Sequence, residues 1–162
     1  MRGLVASKHL ETQRQVQAWS NLTSLVDLEA ALPPAGGWAA SPDLLLRMVE
    51  EVIERRPATV VECGSGLSTV VLALAIEQHQ LPTKVISLDH DKSYAAGTQR
   101  LLERHGVARH VDVRVAPLAP SSVAGHDTAW YDETALDGVD EVSMLIVDGP
   151  PMTTGPLARY PV

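Results

Sequence analysis

An apolar run ends in an acid and two glycines in the stretch VVECGSGLST, residues 60–69. Glu62 supplies a carboxylate, and Gly64 and Gly66, on either side of Ser65, leave bare backbone that a ligand can approach closely. Glycines that directly follow a strand are typical of a loop that binds a ligand at the strand's end. The stretch therefore predicts a binding loop that places backbone donors beside one carboxylate.

Further polar residues complete the predicted site. Ser68 and Thr69 fall in the first turn of the helix expected after the loop, where backbone N–H groups attract a negatively charged group. Asp89 follows Gly66 by 23 residues, a spacing at which an acid commonly accepts hydrogen bonds from a ribose diol. Asp148 ends a later apolar run. Together these residues predict donors for a carboxylate or a phosphate, and acids for a sugar.

Glu62 distinguishes between two classes of ligand. An acid two residues before the first glycine would repel a pyrophosphate, whereas it would attract the ammonium group of an amino acid. A ligand that joins ammonium, carboxylate and ribose groups is S-adenosylmethionine. A nicotinamide dinucleotide stays open as an alternative ligand. It is the weaker one, because Thr69 stands where the dinucleotide-binding motif would have its third glycine.

Helices and strands that could position these residues follow from the sequence pattern. Residues 4–31 lack proline and interior glycine, which favours a helix. Ser41, Pro42 and Asp43 are typical of the start of a second helix, which residues 55–57 end. Two further helices are predicted, one after the glycines and one over residues 91–106, with Asp91 as N-cap and Gly106 as C-terminal stop. The predicted strands are residues 58–63, 84–89, 111–115 and 143–148.

Strands that alternate with helices predict a parallel sheet with right-handed crossovers. Strands that are apolar along their whole length indicate that both faces of the sheet are covered. The predicted fold class is therefore α/β, a Rossmann-like, mainly parallel sheet of about four core strands with helices on both faces, preceded by N-terminal helices. Residues 1–40 are expected to form a helical segment and cap, and residues 41–162 the binding domain.

The composition of the chain limits which partners it can bind and in which cell compartment it is expected. The chain has 162 residues and a formal net charge of −7, which argues against nucleic acid or an anionic membrane surface as the main partner. No apolar run reaches the ~20 residues of a membrane span, and the N-terminus has no apolar signal segment. Cys63 is the only cysteine, so no internal disulfide can form. These features favour the cytoplasm.

The motifs VVECGSGLST, VISLDHD and MLIVDGPP together resemble the class I S-adenosylmethionine-dependent methyltransferases, over about residue 36 to the end. The resemblance implies that the methionine part of the cofactor binds near Glu62 and the glycine loop, and the ribose at Asp89. It places Asp148 beside the transferred methyl group and the acceptor. The residues so expected to contact the cofactor are Glu62, Gly64, Ser65, Gly66, Ser68, Thr69, Asp89, His90, Ala116, Pro117 and Leu118.

The implied reaction is methyl transfer to a small-molecule acceptor, with O-methylation favoured and S-adenosylhomocysteine as product. A hydroxyl acceptor can require a base, for which Asp148 is the first candidate and His90 or His126 the weaker ones. The six histidines show no paired metal-ligand spacing, so no metal site is predicted. Trp38 is a candidate for the edge of the cofactor pocket.

The chain holds fewer strands than a complete domain of that family. Four prolines fall within the last fourteen residues, which excludes an interior strand there. The strand 143–148 would then have one open, apolar edge, so a chain truncated after the fourth strand and a homo-oligomer formed through that edge are both expected. A non-catalytic module that binds S-adenosylmethionine, or that only assembles with a partner, stays open as the alternative. Trp130 and Tyr131 are expected to pack beneath a loop, and contact of their rings with adenine or an acceptor stays open as the alternative.

Overall fold

The computed structural model describes residues 2–34, 39–123, 125–155 and 157–160. Short 3₁₀ helices cover Ala108–His110, Glu133–Leu136 and Met152–Thr154. None of the described helices is both long and apolar enough to cross a membrane. The α-helices and strands are α1 (Arg2–Leu25), α2 (Pro42–Arg55), β1 (Thr59–Cys63), α3 (Leu67–Gln78), β2 (Lys84–Asp89), α4 (Lys92–Arg104), β3 (Val111–Val115), β4 (Leu118–Val123), β5 (His126–Tyr131) and β6 (Met144–Val147).

The central feature is a four-stranded sheet in the order β3-β2-β1-β6, in which every pairing is parallel. Val61 of β1 pairs with Ile86 of β2 on one side and with Leu145 of β6 on the other. The parallel arrangement brings the C-terminal ends of all four strands to one edge of the sheet. The predicted Rossmann-like α/β fold class with about four core strands is confirmed.

The two faces of the sheet are covered by different elements. Alternate residues of β1 face opposite sides, so Val60 packs in one apolar cluster and Val61 and Cys63 in another. The first cluster contains residues from α1, α2, α3 and α4, among them Leu22. The second contains Tyr131 of β5, with residues of the 3₁₀ helix Glu133–Leu136 packed against it. Among the described residues, the helical cover of the second face is this short 3₁₀ segment.

The antiparallel hairpin of β4 and β5 was not predicted from the sequence, which indicated a helical turn between β3 and β6. Within the part of the chain that the structure describes, its two strands pair only with each other. Strand β4 also contains Pro120, a residue that disfavours strands. The predicted helical turn is present only as the 3₁₀ helix Glu133–Leu136. Leu118 pairs with Tyr131, whose ring is buried against the sheet, and this contact connects the hairpin to the apolar core.

Two helices also differ from their predictions. Helix α1 ends at Leu25 and not at residue 31, because the Leu25 carbonyl lies 2.9 Å from the imidazole Nε2 of His79 and so leaves the helical hydrogen-bond pattern. Helix α3 has the predicted apolar stripe, but residues 67–76 are buried on every side. Asp91 caps α4 as predicted, through hydrogen bonds that its carboxylate accepts from the amides of Ser93 and Tyr94.

Candidate functional site

A cavity of about 290 Å³ opens at the edge of the sheet where β1, β2 and β6 end. Ligands of open α/β sheets bind at this edge, beyond the carboxyl ends of the strands. The residues that line the cavity are Ala39, Ala40, Gly64, Ser65, Gly66, Leu67, Ser68, Asp89, His90, Asp91, Tyr94, Tyr131, Asp148, Gly149, Pro151, Thr153 and Arg159.

Gly64 holds the strand ends together at the floor of the cavity. Its amide donates a hydrogen bond of 2.9 Å to the carbonyl of Leu88, while the amides of Asp148 and Gly149 donate to the carbonyl of Cys63 at 2.9 and 2.6 Å. The backbone of Gly64 has φ +101°, and a Cβ at this position would lie 2.9 Å from the Gly149 nitrogen. Only glycine fits here without displacing the neighbouring strand end.

Asp89 fixes the glycine loop to the end of β2. Its Oδ2 accepts hydrogen bonds from the amide and the hydroxyl of Ser65, at 3.2 and 2.6 Å, and its Oδ1 accepts one from the Asp91 amide at 2.9 Å. The Ser65 hydroxyl also lies 3.0 Å from that of Thr98. Asp89 is only 5% exposed, so its carboxylate is held in one orientation at the cavity wall.

Glu62 lies beneath the loop and does not line the cavity. Its side chain is fully buried, and Oε2 accepts hydrogen bonds from the hydroxyls of Thr69 and Ser87. Thr69 in turn accepts a hydrogen bond of 2.9 Å from the amide of Gly66, so Glu62 supports the loop through Thr69. The other oxygen, Oε1, has no hydrogen-bond partner among the described residues. The predicted contact of Glu62 with an ammonium group stays a prediction.

Replacing Glu62 by glutamine is expected to change how stability depends on pH. Burial raises the pKa of Glu62 above its ordinary 4.5, so the native state holds this proton more tightly than the unfolded chain does. The stability that the proton provides is complete below about pH 4.5 and declines by up to ~1.4 kcal/mol per pH unit as pH rises toward the raised pKa. Urea unfolding at pH 4 and pH 7.5 should show a smaller decline for Glu62→Gln than for the unchanged protein.

Glu50→Gln is the matched control, because Glu50 is an exposed residue of α2 and its replacement should leave the pH dependence unchanged. If Glu62→Gln and the unchanged protein lose stability in parallel over this range, the buried proton of Glu62 is not the cause.

Asp148 faces the cavity at the end of β6 and forms an ion pair with Arg159, with Oδ1 and Nη1 3.1 Å apart. Burial raises the pKa of Asp148, while the guanidinium of Arg159 acts in the opposite direction. A carboxylate with a raised pKa is suited to accept a proton, but Asp148 is engaged by Arg159 in this arrangement.

A family model described as a methyltransferase domain matches residues 61–161, which are more than half of the chain. This match begins within β1 and includes the glycine loop, Asp89 and Asp148. The chain belongs to this methyltransferase family. A search of curated proteins found no significant match.

Several solved methyltransferase structures are similar to this methyltransferase-family chain. They include the Podospora anserina methyltransferase PaMTH1 bound to S-adenosylhomocysteine, at 17% identity and a TM-score of 0.46, with 64% of this chain and 41% of that chain covered. The O-methyltransferase TomG of Streptomyces achromogenes shows 21% identity and a TM-score of 0.43, with 62% of this chain and 41% of that chain covered. A Bacillus cereus O-methyltransferase shows 20% identity and a TM-score of 0.42, with 64% of this chain and 41% of that chain covered. The chain thus spans about two fifths of the length of these proteins.

In this methyltransferase-family chain, part of the predicted site lies around the cavity. Seven of the predicted residues line the cavity, namely Gly64, Ser65, Gly66, Ser68, Asp89, His90 and Asp148. Glu62 and Thr69 lie beneath the loop. Ala116 is fully buried, Pro117 is exposed and Leu118 is half-buried in β4, and these three do not line the cavity. His126 is an exposed residue at the start of β5, and Trp38 lies outside the described residues.

Sequence reasoning did not assign Arg159 or Gly149 to the site. For Tyr131 it favoured packing beneath a loop over contact with adenine or an acceptor. Arg159 lies in a segment without helical or strand periodicity, so no pattern indicated that it would reach Asp148. Tyr131 is buried and also lines the cavity, because the unpredicted hairpin carries it there. The motif MLIVDGPP did indicate a turn after Asp148. A Cβ at Gly149 would lie 2.9 Å from the Cα of Gly64 and would collide with the Tyr131 hydroxyl.

Across the described ranges, no three His, Cys, Asp or Glu side chains form a group that could hold a metal ion. Burial raises the pKa of the Cys63 thiol to about 12, so Cys63 stays protonated at neutral pH and is a poor nucleophile. The polar groups that line the cavity are carboxylates, hydroxyls, backbone donors, the imidazole of His90 and the guanidinium of Arg159.

Proposed function

We propose that this chain binds S-adenosylmethionine and takes part in methyl transfer to a small-molecule acceptor, with O-methylation as the favoured reaction. The observation that supports this most directly is the cavity at the ends of β1, β2 and β6, where the glycine loop meets Asp89 and Asp148. Membership of a methyltransferase family agrees with it. The residues present also fit this cofactor in charge, in the loop geometry and in the acceptor groups at Asp89.

The charge of the cavity favours a cationic ligand. Asp89, Asp91 and Asp148 line it, whereas Arg159 is the only lysine or arginine among its described lining residues. Arg159 is already paired with Asp148. The remaining acids would attract the ammonium and sulfonium groups of S-adenosylmethionine and repel a pyrophosphate.

The amides of the glycine loop argue against a nicotinamide dinucleotide. Gly64 donates its amide hydrogen to the Leu88 carbonyl, Ser65 to Asp89 and Gly66 to the hydroxyl of Thr69. Dinucleotide-binding folds use backbone donors of this region for the pyrophosphate. The first amides of α3 have no partner within the helix and could meet a carboxylate, whereas a pyrophosphate would need the donors of the glycine loop as well.

Asp89 has room for a ribose diol if Ser65 changes its partner. A carboxylate offers about four acceptor positions, and three hydrogen bonds already reach Asp89, two of them from Ser65. The Ser65 hydroxyl can keep its contact with Thr98 when it releases Asp89. That exchange would free a second acceptor position, so that Asp89 could accept from both ribose hydroxyls.

When bound, S-adenosylmethionine would supply an electrophilic methyl group. The chain's own contribution is to hold the reactants in line, an effect that can lower a barrier by ~7–11 kcal/mol. Asp148 is the residue placed to accept a proton from a hydroxyl acceptor, provided that Arg159 releases it. His90 also lines the cavity and is the second candidate, whereas His126 lies outside it.

Calorimetric titration with S-adenosylhomocysteine and, separately, with NAD tests the proposed cofactor. We expect binding of S-adenosylhomocysteine and none of NAD, because the loop amides are occupied and the cavity is acidic. The reverse preference would overturn the proposal and restore the oxidoreductase alternative.

A non-catalytic module that binds S-adenosylmethionine is the second candidate function. The ion pair between Asp148 and Arg159 favours it, since it occupies the best-placed base. Transfer of label from the methyl group of the cofactor to small hydroxyl compounds would distinguish the two candidates. Transfer would establish catalysis, and binding without transfer across such acceptors would favour the module.

We further propose a homo-oligomer that forms through the edge of β6, in the cytoplasm. In the described part of the chain β6 pairs only with β1, and Leu145 and Val142 nearby are each 45% exposed. An open apolar strand edge favours pairing with another chain. Light scattering should give the mass of a dimer or larger species, and Leu145→Lys should shift it to the monomer. A monomer at every concentration would contradict this part of the proposal.

A further inference from the structure

Tyr131 combines burial with an unused polar group at the cavity wall. It is the last residue of β5, is 3% exposed and lines the cavity. Its hydroxyl oxygen, Oη, has no hydrogen-bond partner among the described residues. Buried side-chain polar atoms nearly always have a partner, so this hydroxyl calls for a partner that the described residues do not supply.

The neighbours of Tyr131 hold the ring in place. The ring of His90 meets it edge-on with centroids 6.4 Å apart, and the ring of Trp130 does so at 5.2 Å. A Cβ at Gly149 would collide with Oη, so the hydroxyl reaches the turn that follows β6. Tyr131 therefore spans from His90, which is beside Asp89, to the turn beside Asp148, and its hydroxyl is positioned by packing.

The electrostatic surroundings decide which kind of group Tyr131 can meet. Burial, together with the nearby acids Asp89 and Glu62, raises the pKa of the Tyr131 phenol despite the opposing charge of Arg159. The phenol therefore stays protonated and can donate a hydrogen bond. The same acids disfavour an anion at this point. A neutral oxygen or nitrogen acceptor is the group that fits.

We propose that Tyr131 is a ligand-contacting residue whose hydroxyl donates a hydrogen bond to a neutral acceptor atom in the nucleoside part of the cofactor. This inference rests on the proposed function, since it needs a nucleoside in the cavity. The nucleoside part is favoured over the amino-acid part because Tyr131 packs against His90, next to the acid expected to hold the ribose.

The test compares Tyr131→Phe with Tyr160→Phe, which removes the hydroxyl of a tyrosine that is 65% exposed and outside the cavity. Calorimetry would measure the binding of S-adenosylhomocysteine and of 5′-methylthioadenosine, which lacks the amino-acid part. Tyr131→Phe should weaken both by roughly 3–10-fold, as expected for one hydrogen bond, and Tyr160→Phe should weaken neither.

Thermal unfolding without ligand supplies a second readout. Because Tyr131→Phe removes an unpaired buried hydroxyl, the ligand-free variant should unfold at the same temperature as the unchanged protein or up to roughly 6 °C higher. A hydroxyl that stabilises the protein itself would give a lower unfolding temperature, and that result would overturn the inference.

The binding outcomes separate this inference from the proposed function. If the unchanged protein binds S-adenosylhomocysteine and Tyr131→Phe binds it equally well, the role of Tyr131 is overturned and the proposed function stands. Weakened binding of S-adenosylhomocysteine alone would overturn the nucleoside contact. If the unchanged protein binds neither compound, the proposed function fails, and this inference fails with it.

Discussion

Gly64→Ala is expected to destabilise the protein by about 2–5 kcal/mol and to weaken S-adenosylhomocysteine binding more than tenfold. Two effects of an alanine at this position each lower the free energy of unfolding. The backbone at φ +101° is unfavourable for alanine, and the new Cβ would lie 2.9 Å from the nitrogen of Gly149. The collision would push the ends of β1 and β6 apart and break the hydrogen bond from Gly149 to the Cys63 carbonyl. Urea unfolding and calorimetry measure the two effects.

Gly106→Ala separates the two costs. Gly106 has φ +68°, but a Cβ there would meet nothing within 4 Å, so only the backbone cost of about 1 kcal/mol remains and binding should not change. If Gly64→Ala is no more destabilising than Gly106→Ala, the close approach of the two strand ends does not limit this position.

Asp89→Asn is expected to weaken the binding of S-adenosylhomocysteine by about 10–150-fold, which corresponds to loss of a charge-assisted hydrogen bond worth about 1.5–3 kcal/mol. The amide group of asparagine can accept at only one of its two ends. It would either face the two donors of Ser65 with its own NH₂ group or lose the acceptor for the Asp91 amide. The loop and the predicted ribose contact would therefore both be affected, and calorimetry would measure the result.

Asp132→Asn is the matched control for this change. Asp132 caps the 3₁₀ helix Glu133–Leu136 by accepting from the amide of Thr134, and asparagine is an equally good capping residue. This control should bind S-adenosylhomocysteine as the unchanged protein does. Equal affinity of Asp89→Asn and the unchanged protein would exclude Asp89 from ligand binding.

The parallel sheet was predictable because its strands are short apolar runs with clear ends. The strand over Lys84–Asp89 and the capping of α4 by Asp91 follow directly from residue type and position. The hairpin was not predictable by the same reasoning, because Pro120 and Ser121 disfavour a strand and the two strands stabilise each other only after they pair. Its anchor is the burial of Tyr131, which is a tertiary contact.

The site was predictable where the strands position its residues directly. Asp89 and Asp148 come at or just after strand ends, and parallel strands bring such residues to one edge. The role of Glu62 was harder to predict, because the sequence does not show that its side chain lies beneath the loop and bonds to Thr69 and Ser87. Arg159 reaches Asp148 only through the path of the last described residues, which no periodicity indicates.

The edge-on packing of Trp130 against Tyr131 provides the protein with an optical reporter of its own cavity. The indole lies at a centroid distance of 5.2 Å from a ring that also lines the cavity, so a molecule in contact with Tyr131 alters the surroundings of Trp130. The chain has three tryptophans, so replacing the other two would isolate the fluorescence of Trp130. Its emission could then follow ligand entry in real time without an attached dye.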